Sequence, residues 1–323
     1  MRVIVIGATG HVGGYLVPRL VEAGHEVVAI SRGRQRLYRE HPAWASVERV
    51  TADREAEDAA GGFGDRVAAL GPDAVVDMAC FTEESAGQLL DALRGTGALL
   101  LMCGTIWVHG RLTAVPARES DPRRPWGTYG VQKAAIERLV LDAASRGDVR
   151  GSVLHPGHIS GPGWPVINPV GNLDLTVWER LATGARVVLP GLGLETVHHV
   201  HADDVAQAFQ LALERPDASV GRAFHVVAER ALALAGFAEA VTGWFGAEAD
   251  LAYLPFDEWR ATTTPEHADT SYEHVARSHV MSIDEARSRL GYAPAFTALE
   301  AVRQGVEHLA ATGRIRVPAF VDA

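Results

Sequence analysis

The sequence of 323 residues predicts an α/β fold, a doubly wound parallel sheet with a smaller C-terminal lobe. Three observations predict it. Short apolar runs alternate with amphipathic helical stretches through the first half, which is typical of a parallel sheet covered on both faces. A glycine-rich turn joins the first of these runs to the first helical stretch. The second half is less regular and begins with a segment rich in glycine and proline, residues 161–172.

The strands and helices are predicted from these periodicities. Strands of the first half are expected at residues 2–6, 26–30, 47–51, 74–77, 98–102 and 151–155. Helices are expected among them at residues 12–23, 84–93 and 129–145. The second half should hold a loop over 161–172, a helix over 203–213, a strand over 223–227, a capped helix over 282–290 and a turn at 292–294.

Composition and charge indicate a globular protein that binds small molecules. Hydrophobic residues make up 47% of the chain, and the formal net charge is −10. The densest basic group, Arg32, Arg34 and Arg36, stands alone, whereas a nucleic-acid surface needs a basic stripe. No apolar run approaches the ~20 residues that span a bilayer, and the first residues lack the pattern of a secretion signal. We therefore expect no nucleic-acid or membrane partner, and a cytoplasmic location.

The two cysteines, Cys80 and Cys103, are each inside or beside an apolar stretch that predicts a buried strand. We interpret them as reduced thiols in the core of a cytoplasmic protein. A disulfide or a reactive thiol is the alternative.

The glycine-rich turn, VIGATGHVGGYL at residues 5–16, predicts a dinucleotide site of the Rossmann type. Gly7 would permit the tight turn, Gly10 the approach of a pyrophosphate, and Gly13 the close packing of helix and strand. The first N–H groups of the helix would then face the anion. A plain structural turn is the alternative. The predicted contacts from this turn are Gly7, Thr9, Gly10, His11, Val12 and Gly13.

Two units follow from this organisation. Residues 1–160 and about 199–228 should form the dinucleotide-binding domain, and about 161–198 and 229–323 the substrate-binding lobe. We expect the lobe to close over the C-terminal ends of the strands, where open α/β sheets bind ligands.

The end of the second predicted strand favours NADP as the cofactor, with NAD as the second choice. Ser31 stands where an acidic residue would bind the ribose of NAD, and Arg32 follows it. A hydroxyl and a guanidinium would bind the 2′-phosphate of NADP, with Arg34 nearby; a solvated basic turn is the alternative. Asp53 is the candidate for the adenine edge. The residues expected to pass close to the cofactor after the fourth strand are Met78, Ala79 and Cys80.

An acid–base pair is predicted at the start of a long helix. Tyr129 and Lys133 are four residues apart, so both point the same way on a helix. A phenol with a pKa near ~10 is a poor acid or base at neutral pH. A neighbouring ammonium and a cationic nicotinamide would lower the pKa of Tyr129 by favouring the phenolate.

These motifs together resemble the extended short-chain dehydrogenase/reductase superfamily, in its NAD(P)-dependent epimerase/dehydratase branch. The turn is similar to that family's TGxxGxxG, with Ile6 for the usual Thr. GTIWVHG at 104–110 is similar to SSxxVYG, with Gly104 for the first Ser and His109 for Tyr. LHPGHISGPG at 154–163 is similar to RPGxxYGPG, with His155 for Arg and Ser160 for Tyr. VHADDVA at 200–206 and the tail LGYAP at 290–294 extend the resemblance over nearly the whole chain.

The resemblance implies roles for particular residues. Thr105 would hydrogen-bond the reacting oxygen of the substrate, Tyr129 would transfer its proton, and Lys133 would bind the nicotinamide ribose, as general acid–base catalysis beside a hydride carrier requires. His155 and Pro156 would lie against the cofactor, as would Tyr129 and Lys133. The resemblance also implies a homodimer through the two long helices of the nucleotide domain.

The departures from the family limit the chemistry. Ile106-Trp107 replaces the Asp-Glu pair of the dehydratases, and Trp107 replaces the Cys of epimerase-reductases, so neither reaction is expected. Asn172-Leu173 resembles the Asn-Leu pair of 4-epimerases, whereas Val197 stands in place of their pyrophosphate-binding Arg.

Three functions remain open: epimerisation of a sugar or nucleotide-sugar-like carbinol through a transient ketone, NADPH-dependent carbonyl reduction, and dinucleotide-binding regulation without turnover. The third is least expected, because a sensor needs no proton donor. The predicted substrate contacts are Phe81, Trp107, His109, His158 and Asn172.

Histidines and aspartates cluster at residues 198–204, which makes this segment a candidate metal site. Imidazole and carboxylate together suit zinc. The same segment is explained as a strand-to-helix connection with Asp203 or Asp204 as the cap, and we expect no metal.

Overall fold

Seven parallel strands form the central sheet of the computed structural model, within the residues that it describes, 1–34 and 37–321. The strands of the protein are β1 (Arg2–Ile6), β2 (Glu26–Ser31), β3 (Glu48–Thr51), β4 (Ala74–Asp77), β5 (Leu99–Cys103), β6 (Arg150–Pro156), β7 (His158–Ser160), β8 (Val187–Pro190), β9 (Thr196–Val197), β10 (His199–His201), β11 (Ala223–Val226), β12 (Leu232–Ala233) and β13 (Leu251–Leu254). The order across the sheet is β11-β6-β5-β4-β1-β2-β3. This is the order of a doubly wound sheet, so the predicted fold class is confirmed.

Helices cover both faces of the sheet and build the remaining part of the chain. They are α1 (Gly13–Glu22), α2 (Arg54–Ala59), α3 (Phe63–Ala69), α4 (Glu83–Leu93), α5 (Gly127–Ser145), α6 (Thr176–Ala182), α7 (Ala202–Glu214), α8 (Pro216–Ser219), α9 (Leu234–Gly243), α10 (Phe256–Trp259), α11 (Pro265–Val275) and α12 (Ala298–Ala311). Short 3₁₀ turns precede β3 and follow β5. Across residues 1–34 and 37–321, no helix combines the length and the apolar character needed to cross a bilayer.

The central strands follow from their sequence. All but the first residue of RVIVI in β1 is buried, because β1 lies between β2 and β4 and is covered on both faces. The predicted bounds of β1 and β4 are those observed. The other strands of the sheet differ from prediction by one residue, at one end in β2, β3 and β11 and at both ends in β5 and β6. Chain order reverses between β1 and β4, which opens a crevice at the carboxyl ends of these two strands.

Three apolar clusters fill the interior. Two of them cover opposite faces of the sheet. The third is built from residues between 166 and 197 and between 234 and 315, around Trp178, Phe237 and Trp259. The segment from Met281 to Tyr292, expected in the substrate lobe, packs instead into the first cluster, where the Tyr292 hydroxyl donates to the carbonyl of Val227 at 3.1 Å.

The helix predicted at 282–290 is a π-helical turn of 5 residues, which is shorter than expected and wider than an α-helix. Ser282 accepts a hydrogen bond from the Asp284 amide at 3.0 Å, as a capping residue does. A π-helical turn follows over Ala286–Leu290 and ends at Gly291, whose φ of +71° is left-handed. Glycine adopts that conformation without a Cβ penalty.

Histidine is unusually common in the interior: nine of the 14 histidines are buried. Burial lowers the pKa of His11 and His109 to about 3, and that of His158 and His198 to about 4. Because burial disfavours the charged imidazolium, the folded protein holds these rings neutral at pH values where an unfolded chain binds protons.

We predict that the free energy of unfolding falls steeply between about pH 6.5 and about pH 4. Unfolded imidazoles titrate near ~6.5, and each buried neutral ring then contributes a loss of about 1.4 kcal/mol per pH unit. Burial raises the pKa of Asp204 to about 6 and also raises the pKa of Glu119, and these two carboxyls oppose the trend. Urea unfolding followed by circular dichroism should give a free energy at least ~4 kcal/mol lower near pH 5 than near pH 7. The partly exposed His267 provides a control, since His267→Gln should leave that difference unchanged. Equal free energies at the two pH values would contradict the prediction.

Candidate active site

The glycine-rich turn lies at the carboxyl end of β1, in the crevice beside β4. Gly7 has a φ of +81°, and a Cβ added there would lie 3.3 Å from the Cβ of Ala79. A Cβ on Gly13 would lie 2.2 Å from the carbonyl oxygen of Ala8, so only glycine lets α1 approach the turn this closely. The amides of Gly10 and Gly14 donate to the carbonyls of Gly7 and Gly10 and hold the turn, and the amino end of α1 carries the partial positive charge that attracts an anion. The turn therefore fits the pyrophosphate of a dinucleotide.

The end of β2 brings together two of the predicted cofactor residues. Arg34 Nη2 lies 2.8 Å from Asp53 Oδ2, and the same carboxylate accepts from the Ala56 amide at the start of α2. Arg32 is exposed, and the Ser31 hydroxyl accepts from the Gly33 amide at 3.4 Å. Arg36 lies outside the described residues. The side chains of Arg32 and Arg34 are both exposed, and Arg34 is paired with Asp53.

A buried ion pair behind the turn was not foreseen from the sequence. Asp77 at the end of β4 is fully buried, and Arg54 Nη1 lies 2.7 and 2.6 Å from its two carboxylate oxygens. The Ala79 amide donates to the same carboxylate at 3.0 Å. The pair therefore fixes the backbone from Asp77 to Cys80, the segment predicted to pass the cofactor. Arg54 stands in the first turn of a helix, where acidic residues are usual, and this position is only a weak signal for its role.

Neither cysteine has the environment of a reactive thiol. Both are free of a disulfide, and Cys80 is buried. Burial raises the pKa of the Cys80 thiol to about 11 and also raises the pKa of Cys103. A thiolate is the reactive form, so both sulfurs are neutral at physiological pH.

Lys133 connects two strands at the floor of the crevice. Its Nζ donates to the carbonyl of Cys80 at 2.8 Å and to the carbonyl of Cys103 at 2.7 Å. The ammonium is 2% exposed and lies 5.0 Å from the ring centre of Phe81 and 5.8 Å from that of Tyr129. The first turns of α5 thus hold a positive charge between the ends of β4 and β5.

The side chains of Tyr129 and Thr105 are neighbours in this part of the crevice. Desolvation raises the pKa of the Tyr129 phenol, and hydrogen bonding by the Thr105 hydroxyl acts in the opposite direction. Thr105 is 6% exposed and its Oγ1 accepts from the Trp107 amide at 3.3 Å. The three predicted catalytic residues therefore meet where β4, β5 and α5 converge.

Aromatic side chains form one wall of the crevice. Trp107 meets the Tyr129 ring edge to face, with centroids 5.6 Å apart. The guanidinium of Arg277, which follows α11, stacks between Trp107 and Trp126 at 3.9 and 3.7 Å. It also donates to the Trp126 carbonyl at 3.0 Å. The sequence carried no signal for Arg277, because it lies 151 residues beyond Trp126 and still further beyond Trp107.

Three of the predicted substrate contacts are engaged with the protein itself. His109 Nε2 lies 2.8 Å from His225 Nε2, and His158 Nε2 lies 2.8 Å from His274 Nδ1. Asn172 is 1% exposed and bonds to Asn168 and Ser271. The remaining two differ: Phe81 is 57% exposed and Trp107 is partly exposed.

His155 and Pro156, predicted cofactor contacts on β6, are buried below the 3₁₀ turn that Thr105 begins. His155 Nδ1 accepts from the Thr105 amide at 2.9 Å, and its Nε2 lies 3.2 Å from Glu137. Burial opposes ionisation of Glu137, but His155 and Arg123 together hold the pKa of its carboxyl below the ordinary range.

The side chain of His11 is covered by aromatic rings from outside the glycine-rich turn. It is parallel to Trp164 at 5.1 Å and lies 5.0 Å from Tyr38. The Tyr38 hydroxyl donates to the Gly163 carbonyl. The loop at 161–164 therefore packs against the turn through its side chains.

The histidines and aspartates after β9 have structural partners. His201 Nδ1 accepts from the Asp203 amide at 3.0 Å, and Asp204 accepts from the amides of Ala295 and Phe296. His201 rather than either aspartate caps α7, which corrects the predicted capping residue. Within 1–34 and 37–321, three or more metal-ligating side chains do not gather in a form that could hold an ion.

The chain is similar to proteins named as reductases, epimerases and a dehydrogenase, and also to one named as a chloroplast stem-loop binding protein. The chain is 30% identical to 2′-dehydrokanamycin reductase of Streptomyces kanamyceticus over 64% of this chain and 56% of that protein. It is 28% identical to UDP-glucose 4-epimerase of Streptomyces lividans, over 66% and 72% of the two chains. It is 26% identical to dTDP-6-deoxy-L-talose 4-dehydrogenase (NAD(P)(+)) of Kitasatospora kifunensis, over 94% of each.

Solved structures share the whole fold. UDP-glucose 4-epimerase of Thermotoga maritima superposes with a TM-score of 0.73 at 19% identity, covering 97% of this chain and 99% of that one. UDP-glucuronic acid 4-epimerase of Bacillus cereus superposes with a TM-score of 0.72 at 15% identity, covering 97% and 100%.

A family model gives the identity of the chain. It is described as the NAD dependent epimerase/dehydratase family and matches residues 3–227, from β1 to the end of β11. That span holds the glycine-rich turn, Thr105, Tyr129 and Lys133. The resemblance inferred from the motifs is thereby confirmed, and the protein is an enzyme that belongs to the NAD(P)-dependent epimerase/dehydratase family.

Proposed function

We propose that the enzyme interconverts a secondary alcohol and a ketone on a sugar or a sugar-like substrate, with Tyr129 as the acid and base. The observation that carries this proposal is the meeting of Thr105, Tyr129 and Lys133 beside the glycine-rich turn. A bound nicotinamide dinucleotide supplies the hydride exchange. A regulatory protein would have no use for this set of proton-handling groups.

Each of the three residues has a task that its surroundings support. Thr105 would donate from its hydroxyl to the reacting oxygen, which desolvates and orients that atom. Tyr129 would pass its proton to the oxygen, or take one from it. Lys133 keeps a positive charge 5.8 Å from the phenol ring, and a cation at that distance favours the phenolate. Because two of its N–H groups are engaged by the carbonyls of Cys80 and Cys103, one remains for a ribose hydroxyl.

Epimerisation through a transient ketone is the first candidate, and net reduction of a ketone by NADPH the second. The crevice has few features of a nucleotide-sugar site. Val197 is fully buried in β9, and Asn172 is buried among its own partners. A sugar without a nucleotide diphosphate fits these side chains better. The exposed Arg32 would bind the 2′-phosphate of NADPH. Because NADPH is the usual donor of net reduction, this residue favours the reductase.

We also propose a cytoplasmic homodimer. The outer face of α5 carries Val131, 49% exposed, beside Ala134, Ala135 and Leu141, and α4 packs along the same helix. The same face also carries the exposed Glu83–Arg138 ion pair. A face that combines apolar side chains with an ion pair suits a symmetric four-helix contact.

Tyr129→Phe should abolish turnover and leave dinucleotide binding intact, because it removes the proton and little else. Protein should be purified, denatured and examined by mass spectrometry for released dinucleotide. The pure protein should then be offered ketoses and aldoses with NADPH deuterated at C4. Retained dinucleotide and no net loss of NADPH would support epimerisation, whereas an empty protein that transfers deuterium to a ketone would support reduction.

Exposed Tyr253, distant in sequence from the three residues, provides the control for these assays. Tyr253→Phe should keep full activity. Turnover by the Tyr129→Phe protein at the wild-type rate, or failure of the wild type to bind any nicotinamide dinucleotide, would overturn the proposed function.

Arg32→Ala should lower the preference for NADPH over NADH by about 10-fold or more, since a charge-assisted bond to phosphate contributes about 1.5–3 kcal/mol. Fluorescence titration with each dinucleotide measures the ratio of the two dissociation constants. Arg186 pairs with Asp250 on the substrate lobe, so Arg186→Ala should leave the ratio unchanged. An unchanged ratio in Arg32→Ala would remove the argument for NADP.

Val131→Glu should shift the protein from dimer to monomer in analytical ultracentrifugation, because it places a charge in the centre of the proposed contact. The exposed Leu192 lies on the substrate lobe, and Leu192→Glu should leave the mass unchanged. A wild-type monomer at all concentrations would exclude the dimer.

A further inference from the structure

The family pattern is interrupted at two positions that touch each other. Gly104 precedes the catalytic Thr105, and His155 lies on the neighbouring strand β6. A Cβ on Gly104 would lie 2.2 Å from His155 Nδ1 and 2.6 Å from its Cε1. The imidazole thus occupies the space that any side chain at position 104 would need. The two departures, a missing side chain and an inserted ring, compensate for one another.

The His155 ring accepts one hydrogen bond from the turn that Thr105 begins. The Thr105 amide donates to His155 Nδ1 at 2.9 Å. An imidazole nitrogen that accepts a hydrogen bond carries no proton, so the proton of the neutral ring is on Nε2. The bond fixes the backbone of Thr105, and hence the starting point of the side chain that carries the catalytic hydroxyl.

The other edge of the ring faces a buried carboxylate. His155 Nε2 lies 3.2 Å from Glu137 Oε1, off the line of an ideal hydrogen bond. Glu137 is on α5, two turns beyond Tyr129, and is itself held by Arg123 at 2.6 and 2.9 Å. Arg123 is anchored in turn by the carbonyls of Glu119 and Asp121. A carboxylate at this edge keeps the proton on Nε2 and leaves Nδ1 as the acceptor.

We propose that His155 is a positioning residue for Thr105, with Glu137 and Arg123 holding its ring in the tautomer that accepts the Thr105 amide. These contacts link the turn that carries Thr105 to the helix that carries Tyr129 and Lys133, because Glu137 belongs to that helix. The proposal concerns the backbone of Thr105 and does not depend on which substrate the enzyme takes.

The first test reads the hydrogen bond itself. In protein labelled with ¹⁵N and saturated with NADP⁺, the Thr105 amide nitrogen and His155 Nδ1 should show scalar coupling across the bond, and the His155 shifts should report a proton on Nε2. His155→Leu should lose the coupling. Glu137→Gln, a milder change, should shift the ring toward the other tautomer and weaken the Thr105 signal. A wild-type ring with its proton on Nδ1 would overturn the proposal.

The second test separates positioning from support of the fold. His155→Asn places an oxygen near the position of Nδ1, whereas His155→Leu has similar volume and no acceptor. With the ketone substrate that the deuteride assay yields, His155→Leu should lower kcat by about 10- to 100-fold with KM nearly unchanged, the effect of a misplaced catalytic group. His155→Asn should recover most of that loss.

His225 provides the matched control, since its imidazole is equally buried and lies in the same interior, with ring centres 6.3 Å apart. His225→Asn should lower the melting temperature and keep kcat. If His155→Leu and His155→Asn lose kcat equally, or if His225→Asn loses as much, the role of His155 is structural only. If no substrate is turned over by the wild type, the proposed function fails, but the coupling measurement still decides the role of His155.

Discussion

A single buried ammonium organises the proposed catalytic centre. Lys133 is enclosed by the chain, and an isolated charge in such a place would be strongly unfavourable. The carbonyls of Cys80 and Cys103 remove much of that penalty, and both belong to the carboxyl ends of neighbouring strands. Because the charge requires these two acceptors at once, α5 can sit in one register only against β4 and β5. The position of Tyr129, one turn earlier on the helix, follows from that register.

The surroundings of this ammonium show how a family pattern can change without losing its geometry. Gly104 and His155 differ from the usual residues, yet each difference makes the other possible, since the ring fills the space that the glycine leaves. Arg123 reaches the same carboxylate, Glu137, from a different part of the chain. His109, a third departure, is turned toward His225 in the same interior. The three departures therefore lie together in one layer below Thr105.

Local patterns in the sequence were enough to predict the sheet, the glycine-rich turn and the spacing of Tyr129 and Lys133. Each depends on residues close together in the chain, where helix and strand periodicity decide which side chains share a face. The direction of His109, His158 and Asn172 could not be predicted, because a motif gives the place of a residue along the chain but not the partner that its side chain meets. Arg54 and Arg277 were missed for the same reason. Their partners come from other elements, and such pairings leave no periodic trace.

The stacking of Arg277 between Trp107 and Trp126 has a mechanical consequence for the wall of the crevice. The arginine follows a helix of the third apolar cluster, and Trp107 meets the ring of Tyr129 edge to face. A displacement of α11 would therefore be passed through the guanidinium to the indole beside Tyr129.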